Sequence, residues 1–283
     1  MKKYFITSDI HSFYTEFITE LLKQGFDKDN QDHILVILGD LFDRGKETVN
    51  LFNFILSIPK ERRILIKGNH EELYKYLLKK GFPDSYDFSN GTVSTFCQIS
   101  NIDKERLTVK YWYKLSAKGL LPYADEYEKI YDTWQTITKK VKDSDVTKFI
   151  EDDSQWINYL ETEHYIFVHS WIPCATKPKE FSYAPEEIGY REDWRNATQT
   201  EWSDATWGCP WKKAQLGWNK TNKTIVCGHW HTSDFFNNLT KQKKKDVYDC
   251  PIFKSKKYKL IGLDACTAGS HKVNILVLSE DEL

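Results

Sequence analysis

Five short clusters of Asp, Asn, His and Gly stand in order along the chain: Asp9-Ile10-His11, Gly39-Asp40-Leu41-Phe42-Asp43-Arg44-Gly45, Gly68-Asn69-His70-Glu71, Val168-His169-Ser170 and Gly228-His229-Trp230-His231. Carboxylate, amide and imidazole together are the donor set of a site for divalent metals. Taken singly, each cluster is weak, since D-x-H recurs by chance and a lone strand-end histidine such as His169 is ordinarily a hydrogen-bonding residue. The run G-D-x-x-D-R-G is different, because a random chain of 283 residues holds its five fixed positions about once in ten thousand cases. With G-N-H-E and G-H-x-H following in order, coincidence is excluded.

Such a set suits phosphate-ester hydrolysis. Water, with a pKa of about 15.7, is too weak a nucleophile at neutral pH, but two divalent cations about 3.5–4 Å apart turn a bridging water into hydroxide and clamp the non-bridging oxygens. That pair needs mixed oxygen and nitrogen ligands, one of them a bridging carboxylate.

These donors need a frame that gathers them. Runs rich in Ile, Val, Leu and aromatic residues read as buried strands at Lys3 to Ser8, His33 to Leu38, Arg63 to Lys67, Tyr165 to Val168, Thr224 to Cys227, Lys259 to Leu263 and Lys272 to Leu278. Most stop at one of the clusters. Thr15 to Gln24 and Glu47 to Ser57 carry apolar residues at helical spacing. Strand, helix, strand, helix predicts an α/β sheet, whose ligands lie beyond the carboxyl ends of strands. Leu73 to Glu163 breaks the rhythm and is expected to be a mostly helical insertion, a candidate cap, within a single domain spanning residues 1–283. Its Tyr111, Trp112, Tyr113, Trp134 and Trp156 are expected to pack a small core of the insertion's own. Lys177 to Gly217 reads as Trp- and Pro-containing loop, and Lys241 to Lys245, with Lys254, Lys256 and Lys257 near a hairpin, as a solvated basic run.

The clusters resemble the signature of the calcineurin-like metallophosphoesterase superfamily, and within it the serine/threonine protein phosphatase branch with its bacterial and bacteriophage relatives. Gly262-Leu263-Asp264-Ala265 is similar to that branch's closing strand motif. The resemblance implies a four-layer α/β/β/α sandwich in which Asp9 and His11 hold a first metal, Asp40 bridges, and Asn69, His169 and His229 hold a second. His231 stands between two roles, because the wider superfamily uses this second histidine as a first-metal ligand and the phosphatase branch has a non-ligating residue there. By the same resemblance His70 is the general acid that protonates the leaving oxygen, and Asp43 is the carboxylate that raises its pKa. Arg44 and Asn69 meet the substrate phosphate. Only six of the 40 basic residues are Arg, which makes an Arg at position 44 informative. For the branch's second phosphate-binding arginine the candidate is Arg195, with Arg191 as the other choice. Glu71 reads as a first-turn acid facing the helix dipole, and Gly39, Gly68 and Gly228 as turn residues. Ser8 and Ser12 replace the family's usual glycines, and Ser170-Trp171 replaces a small-residue pair, which is expected to narrow the leaving-group side.

Balanced charge sets further bounds. With 40 Lys+Arg against 41 Asp+Glu the net charge is −1, so no global field attracts phosphate backbones or anionic lipid, and nucleic acid is not an expected partner. No apolar run approaches the roughly 18 residues of a membrane span, and the apolar stretch after Met1 is cut by Ser8 and Asp9, too soon for a signal peptide. Cys97, Cys174, Cys209, Cys227, Cys250 and Cys266 are scattered without a C-x-x-C pair, so reduced thiols in a cytoplasm are the expectation. The function these readings predict is a binuclear-metal phosphoesterase, with manganese first and Fe, Zn, Co or Ni compatible. It is expected to cleave phosphomonoesters of a phosphorylated protein or a small phosphate ester by direct attack of a metal-bridging hydroxide, as a serine/threonine protein phosphatase. One alternative is a diadenosine polyphosphate or other nucleotide hydrolase. Another, of a different class, is a non-catalytic metal-bound scaffold, against which stand the intact core ligands, Asp43 and His70.

Overall fold

A computed structural model describes residues 1–107, 124–178 and 186–283; Tyr111, Trp112 and Tyr113 lie outside them. The described residues form strands β1 (Lys3–Thr7), β2 (His33–Ile37), β3 (Arg63–Ile66), β4 (Trp156–Ile157), β5 (Tyr159–Glu161), β6 (Tyr165–Val168), β7 (Cys174–Lys177), β8 (Glu186–Tyr190), β9 (Thr224–Cys227), β10 (Phe253–Ser255), β11 (Leu260–Gly262) and β12 (Leu276–Ser279). One sheet has the order β12-β1-β2-β3-β4 and a second the order β10-β11-β9-β6-β5, while β7 and β8 pair apart. The inner strands of each sheet run parallel, and β12, β10 and β5 are added antiparallel.

Side chains of a strand alternate between its two faces, and here the alternation sorts the core into layers. Leu35 and Ile37 of β2 join a cluster shared with helices Tyr14–Lys23 and Thr48–Ser57, whereas Ile34, Val36 and Leu38 join the residues between the sheets. β6 and β9 repeat the pattern: Ile166, Val168, Ile225 and Cys227 pack outward with Trp202 and Phe235, and Phe167 and Val226 pack inward against Ile6 and Ile66. The result is the expected four-layer α/β/β/α sandwich.

Two expectations need correction. The described part of residues 73–163 is mostly helical, with helices Asn69–Lys80, Ser85–Asn90, Thr92–Ser100, Ala124–Lys142 and Asp145–Glu151, but it ends in β4 and β5 of the two sheets, and its described aromatics do not build a core of their own. Trp134 and Trp156 belong to one cluster with Phe5, Phe17 and Leu35, because the outer face of the first sheet must be covered and these helices cover it. Trp134 stacks on Phe96 with centroids 5.7 Å apart and donates from Nε1 to the Gly81 carbonyl. The second correction concerns Lys177 to Gly217, whose described part is structured. It contains β8, helix Gln199–Thr206 with a capping box between Thr198 and Glu201, and helix Pro210–Gln215 with proline in its first turn. Lys254 does lie in a β10–β11 hairpin, and Lys241, Lys243 and Lys245 are exposed.

Candidate active site

The clusters sit where parallel strands end: after β1, β2 and β3 in the first sheet and after β6 and β9 in the second. Beyond the strand ends the first two loops continue to pair, as Asp9 N–H donates to Gly39 O (3.2 Å), His11 N–H to Asp40 O (3.0 Å) and Ser12 N–H to Leu41 O (2.8 Å). This pairing holds the backbone in an unusual conformation. Asp9, His11, Ser12, Asp40, Asp43, Arg44 and His229 all have φ between +52° and +74°, a region non-glycine residues visit rarely and keep only where surroundings over-determine it.

Two triads result. Ligand atoms of His11, Asp40 and His70 lie within 4.8 Å of one another, as do those of Asp40, His169 and His229, so Asp40 is common to both. His11 Nδ1 bonds the Phe42 carbonyl (3.0 Å) and His169 Nδ1 the Leu38 carbonyl (2.7 Å). Each ring therefore keeps its Nε2 lone pair for the site, the arrangement that fixes a metal-ligating tautomer. His169 Nε2 is 2.9 Å from Asn69 Oδ1 and 3.5 Å from Asp40 Oδ1. Asp9 lies outside both triads but adjoins them, its Oδ2 accepting the His229 N–H at 2.9 Å. A Cβ on Gly228 would overlap that carboxylate, so this glycine provides room where a turn residue was expected. His231 is also outside the triads; it precedes helix Thr232–Leu239, half-buried, with the buried Asp264 as its charged neighbour.

Electrostatics suit divalent cations. Burial, with Arg44 and His70, holds His11 well below its ordinary pKa, and burial followed by His169 pushes His229 down to about 3. Both rings stay neutral, as metal ligation requires. Burial opposes ionisation of Asp40, yet four surrounding histidines hold its carboxyl below the usual carboxylate range. Asp9 is lifted to about 6 by burial and by Asp40, and Asp264 to about 7 by burial and by Asp9. For His169 burial is outweighed by Asp40 and Asp9, which raise its pKa; crowded buried carboxylates among imidazoles are what a pair of cations would relieve.

A proton-handling pair is built on the first triad's own His70. His70 Nδ1 is 2.7 Å from Asp43 Oδ2, and its Nε2 is 3.2 Å from Arg44 Nη2 and 4.0 Å from Asp40 Oδ2. Burial alone would lower the His70 pKa, but Asp40 and Asp43 together outweigh it and raise it. Asp43 is held by threonines of the insertion: Thr92 Oγ1 donates to Oδ2 (2.8 Å), Thr95 Oγ1 donates to Oδ1 (2.7 Å), and the Asp43 N–H donates to Thr95 Oγ1 (3.0 Å). Gly91 lets the helix start directly against the Arg44 backbone, where a Cβ would clash. Glu71 does more than face a dipole. Its carboxylate accepts N–H bonds from Gly68 (2.9 Å), Asp40 (3.1 Å) and Leu41 (2.9 Å), tying the second and third clusters together. Neither the threonines nor this role of Glu71 was read from the sequence, though Glu71 stood in the G-N-H-E motif.

Other candidates lie elsewhere. Arg195 makes a two-pronged bond to Glu161 (2.7 and 2.6 Å) and stacks over Trp194 at 4.3 Å, so its guanidinium is committed at the edge of the second sheet. Arg191 is bonded to Asp193 and Glu201. Trp171 is buried in the core of the second sheet and does not narrow the mouth. The indole that stands there is Trp207, 44 % exposed. Among the described residues no helix is long and apolar enough to cross a membrane.

The family description "Calcineurin-like phosphoesterase" matches residues 2–233. The chain is 42% identical over 139 residues to a symmetrical bis(5'-nucleosyl)-tetraphosphatase of Buchnera aphidicola, covering 45% of this chain and 50% of that protein. It is 39% identical over 88 residues to the asymmetrical bis(5'-nucleosyl)-tetraphosphatase PrpE of Bacillus velezensis, covering 28% and 34%. The chain thus spans half or less of the length of these relatives. A cold-active protein tyrosine phosphatase shares the fold over 99% of this chain and 75% of its own, with a TM-score of 0.52 and 14% identity.

Proposed function

Because the chain belongs to the calcineurin-like phosphoesterase family, we propose that the residues gathered about Asp40 form a binuclear centre that hydrolyses dinucleoside polyphosphates. The observation that carries the chemistry is one carboxylate, Asp40, common to two triads, with Asp43 paired to His70 of the first. The relatives named as bis(5'-nucleosyl)-tetraphosphatases support the substrate class. Two divalent cations, when bound, activate the attacking water and offset the phosphate charge. His11 and Asp9 would hold one and Asn69, His169 and His229 the other, with Asp40 between them; the donors favour no single metal among Mn, Fe, Zn, Co and Ni.

The chain's own residues do the rest. Arg44, exposed at the mouth, meets anionic phosphate oxygens. His70 carries the proton on Nε2 and hands it to the departing phosphate oxygen as the P–O bond breaks, while a new P–O bond forms from water. Asp43 keeps Nδ1–H oriented and stabilises the protonated ring. Free thiols accord with a reducing compartment, which makes a cytoplasmic location part of the proposal.

Phosphoserine or phosphothreonine protein remains the second reading, favoured by the joint presence of G-D-x-x-D-R-G and G-N-H-E. Protein reconstituted with Mn²⁺ and offered diadenosine tetraphosphate, a phosphopeptide and p-nitrophenyl phosphate separates the two. Turnover of the dinucleotide well above that of the peptide is expected. Turnover of the peptide alone would transfer the assignment to the second reading.

A further inference from the structure

The mouth of the site has two unlike ends, arranged about the Asp40 carboxylate that both triads contain. At one end Arg44 is exposed and its guanidinium reaches His70. At the other end Trp207 stands edge-on to His229, ring centroids 6.2 Å apart and planes at 85°, with its indole 44 % exposed. Beside Trp207 opens a cleft of about 470 Å³, lined by Pro173, Cys174, Thr176, Asp204 and Gly208 among others. That volume is in the range of small-molecule sites.

Charge on the wall of this cleft says what it does not take. Glu187 and Glu201 line it, but each is already paired, to Lys213 at 2.5 Å and to Arg191 at 2.5 Å. Among the described residues the wall therefore offers a phosphate no unpaired cation, and it offers a cationic side chain little beyond Asp204. What it does offer is the indole of Trp207, carried on backbone that is held in place. Trp207 N–H bonds the Asp204 carbonyl, Gly208 N–H bonds the Ala205 carbonyl, and Gly208 O accepts from Ser170 Oγ at 2.8 Å, one residue from His169. Lys213 packs directly beneath Gly208. Backbone held in place before the ligand arrives loses little freedom on binding.

Resting on the hydrolase reading above, we propose that this cleft binds a nucleobase, stacked on Trp207, belonging to the portion of the substrate retained on the attacked phosphate. His70 donates its proton at the Arg44 end, so the leaving group lies there. Trp207 lies beyond the second triad, where it meets the other substituent of the attacked phosphorus. A phosphomonoester has no such substituent, whereas a dinucleoside polyphosphate always has one. The cleft thus gives a physical basis for preferring an anhydride flanked by nucleosides over a phosphorylated side chain.

The Mn²⁺-loaded enzyme, with p-nitrophenyl phosphate as reporter, tests this through competition by AMP and by ribose 5-phosphate, which differ only in the base. AMP is expected to inhibit on the order of tenfold more tightly, the scale of one base stacked on an aromatic side chain. Trp207→Ala should erase that ratio and Trp207→Phe should keep most of it. Equal inhibition by the two compounds in the wild type would overturn the proposal, and so would a ratio that survives Trp207→Ala. Competition by argininamide, with AMP no better than ribose 5-phosphate, would overturn it in favour of a cationic occupant. The hydrolase reading fails separately, through absent turnover of diadenosine tetraphosphate, and the competition ratio is read whether or not it does.

Discussion

The two banks of the mouth are built differently. On the bank supplied by the first sheet and its covering helices, polar groups are buried and paired: Asp43, Thr92 and Thr95 are at most 1% exposed, and Asp43 alone takes part in four of the bonds that hold it to His70 and the threonines. On the bank supplied by the second sheet, Trp207 is open to solvent, His231 is half-buried, and a cleft opens between Trp207 and β7. A proton donor must be held within a few tenths of an ångström of its acceptor and gains from full enclosure. A recognition surface must stay accessible and can vary without disturbing the chemistry. The first bank holds the His70–Asp43 pair, and the second holds His169, His229 and the open cleft.

The strongest way to break that comparison is to remove what both banks have in common. Asp40→Asn weakens both cation sites at once, and with several kcal/mol from each, a loss of roughly 10⁵ in turnover is expected for every substrate. Calorimetric titration with Mn²⁺ should show two sites lost or weakened together, and loss of one site alone would show that Asp40 is not common to them. His70→Asn comes next, with turnover cut by about 10² to 10⁴, the usual worth of a general acid. The deficit should be smaller for p-nitrophenyl phosphate, whose leaving group needs little protonation. An equal deficit for good and poor leaving groups would deny His70 the donor role.

Much of the first bank was legible in the sequence because it is local. Asp9, His11, Asp40, Asn69 and His70 sit in short motifs at the ends of strands long enough to show alternation, and the strands and helices predicted from residue 3 to residue 67 all form. What escaped is long-range. Thr92 and Thr95 lie 49 and 52 residues from the aspartate they hold, and a threonine in a helix carries no mark of such a partner. β4 and β5 have only two and three residues, too few for any periodicity. Arg195 follows a tryptophan in sequence, but what the fold shows is its ion pair with Glu161 at a sheet edge, a partner 34 residues away that no local pattern marks.

Those threonines sharpen the comparison, since they make the insertion a brace for Asp43. Thr95→Val leaves the Asp43 N–H and one carboxylate oxygen without partners, a cost of about 1–3 kcal/mol in a buried site. Urea unfolding should register that loss, with Thr95→Ser restoring most of it. Turnover on an alkyl phosphate should fall further than on p-nitrophenyl phosphate, because the misplaced Asp43 disturbs proton donation. A uniform fall on both would reduce the threonine to a packing residue.

The smallest effect concerns Asp264, between the banks. Burial first, then Asp9, raises its carboxyl to about 7 in the folded chain, with His231 and Arg44 opposing, whereas an unfolded aspartate titrates near 3.9. Folding therefore favours the protonated form. In metal-free protein this contribution is fully present at a pH below about 4, and it is lost as pH rises through 7. Asp264→Asn keeps a neutral side chain at every pH and can still accept the Cys266 N–H bond that Oδ1 now receives at 2.7 Å. Melting curves taken in chelator from pH 5 to 8.5 should show the wild type falling behind the variant by a few degrees at the alkaline end. Adding Mn²⁺ should shrink the gap, because the cations offset the Asp9 charge that helps to raise Asp264. Curves that stay parallel across this range would mean that Asp264 carries its charge unopposed, and that the negative crowding beneath the second bank is weaker than its geometry implies.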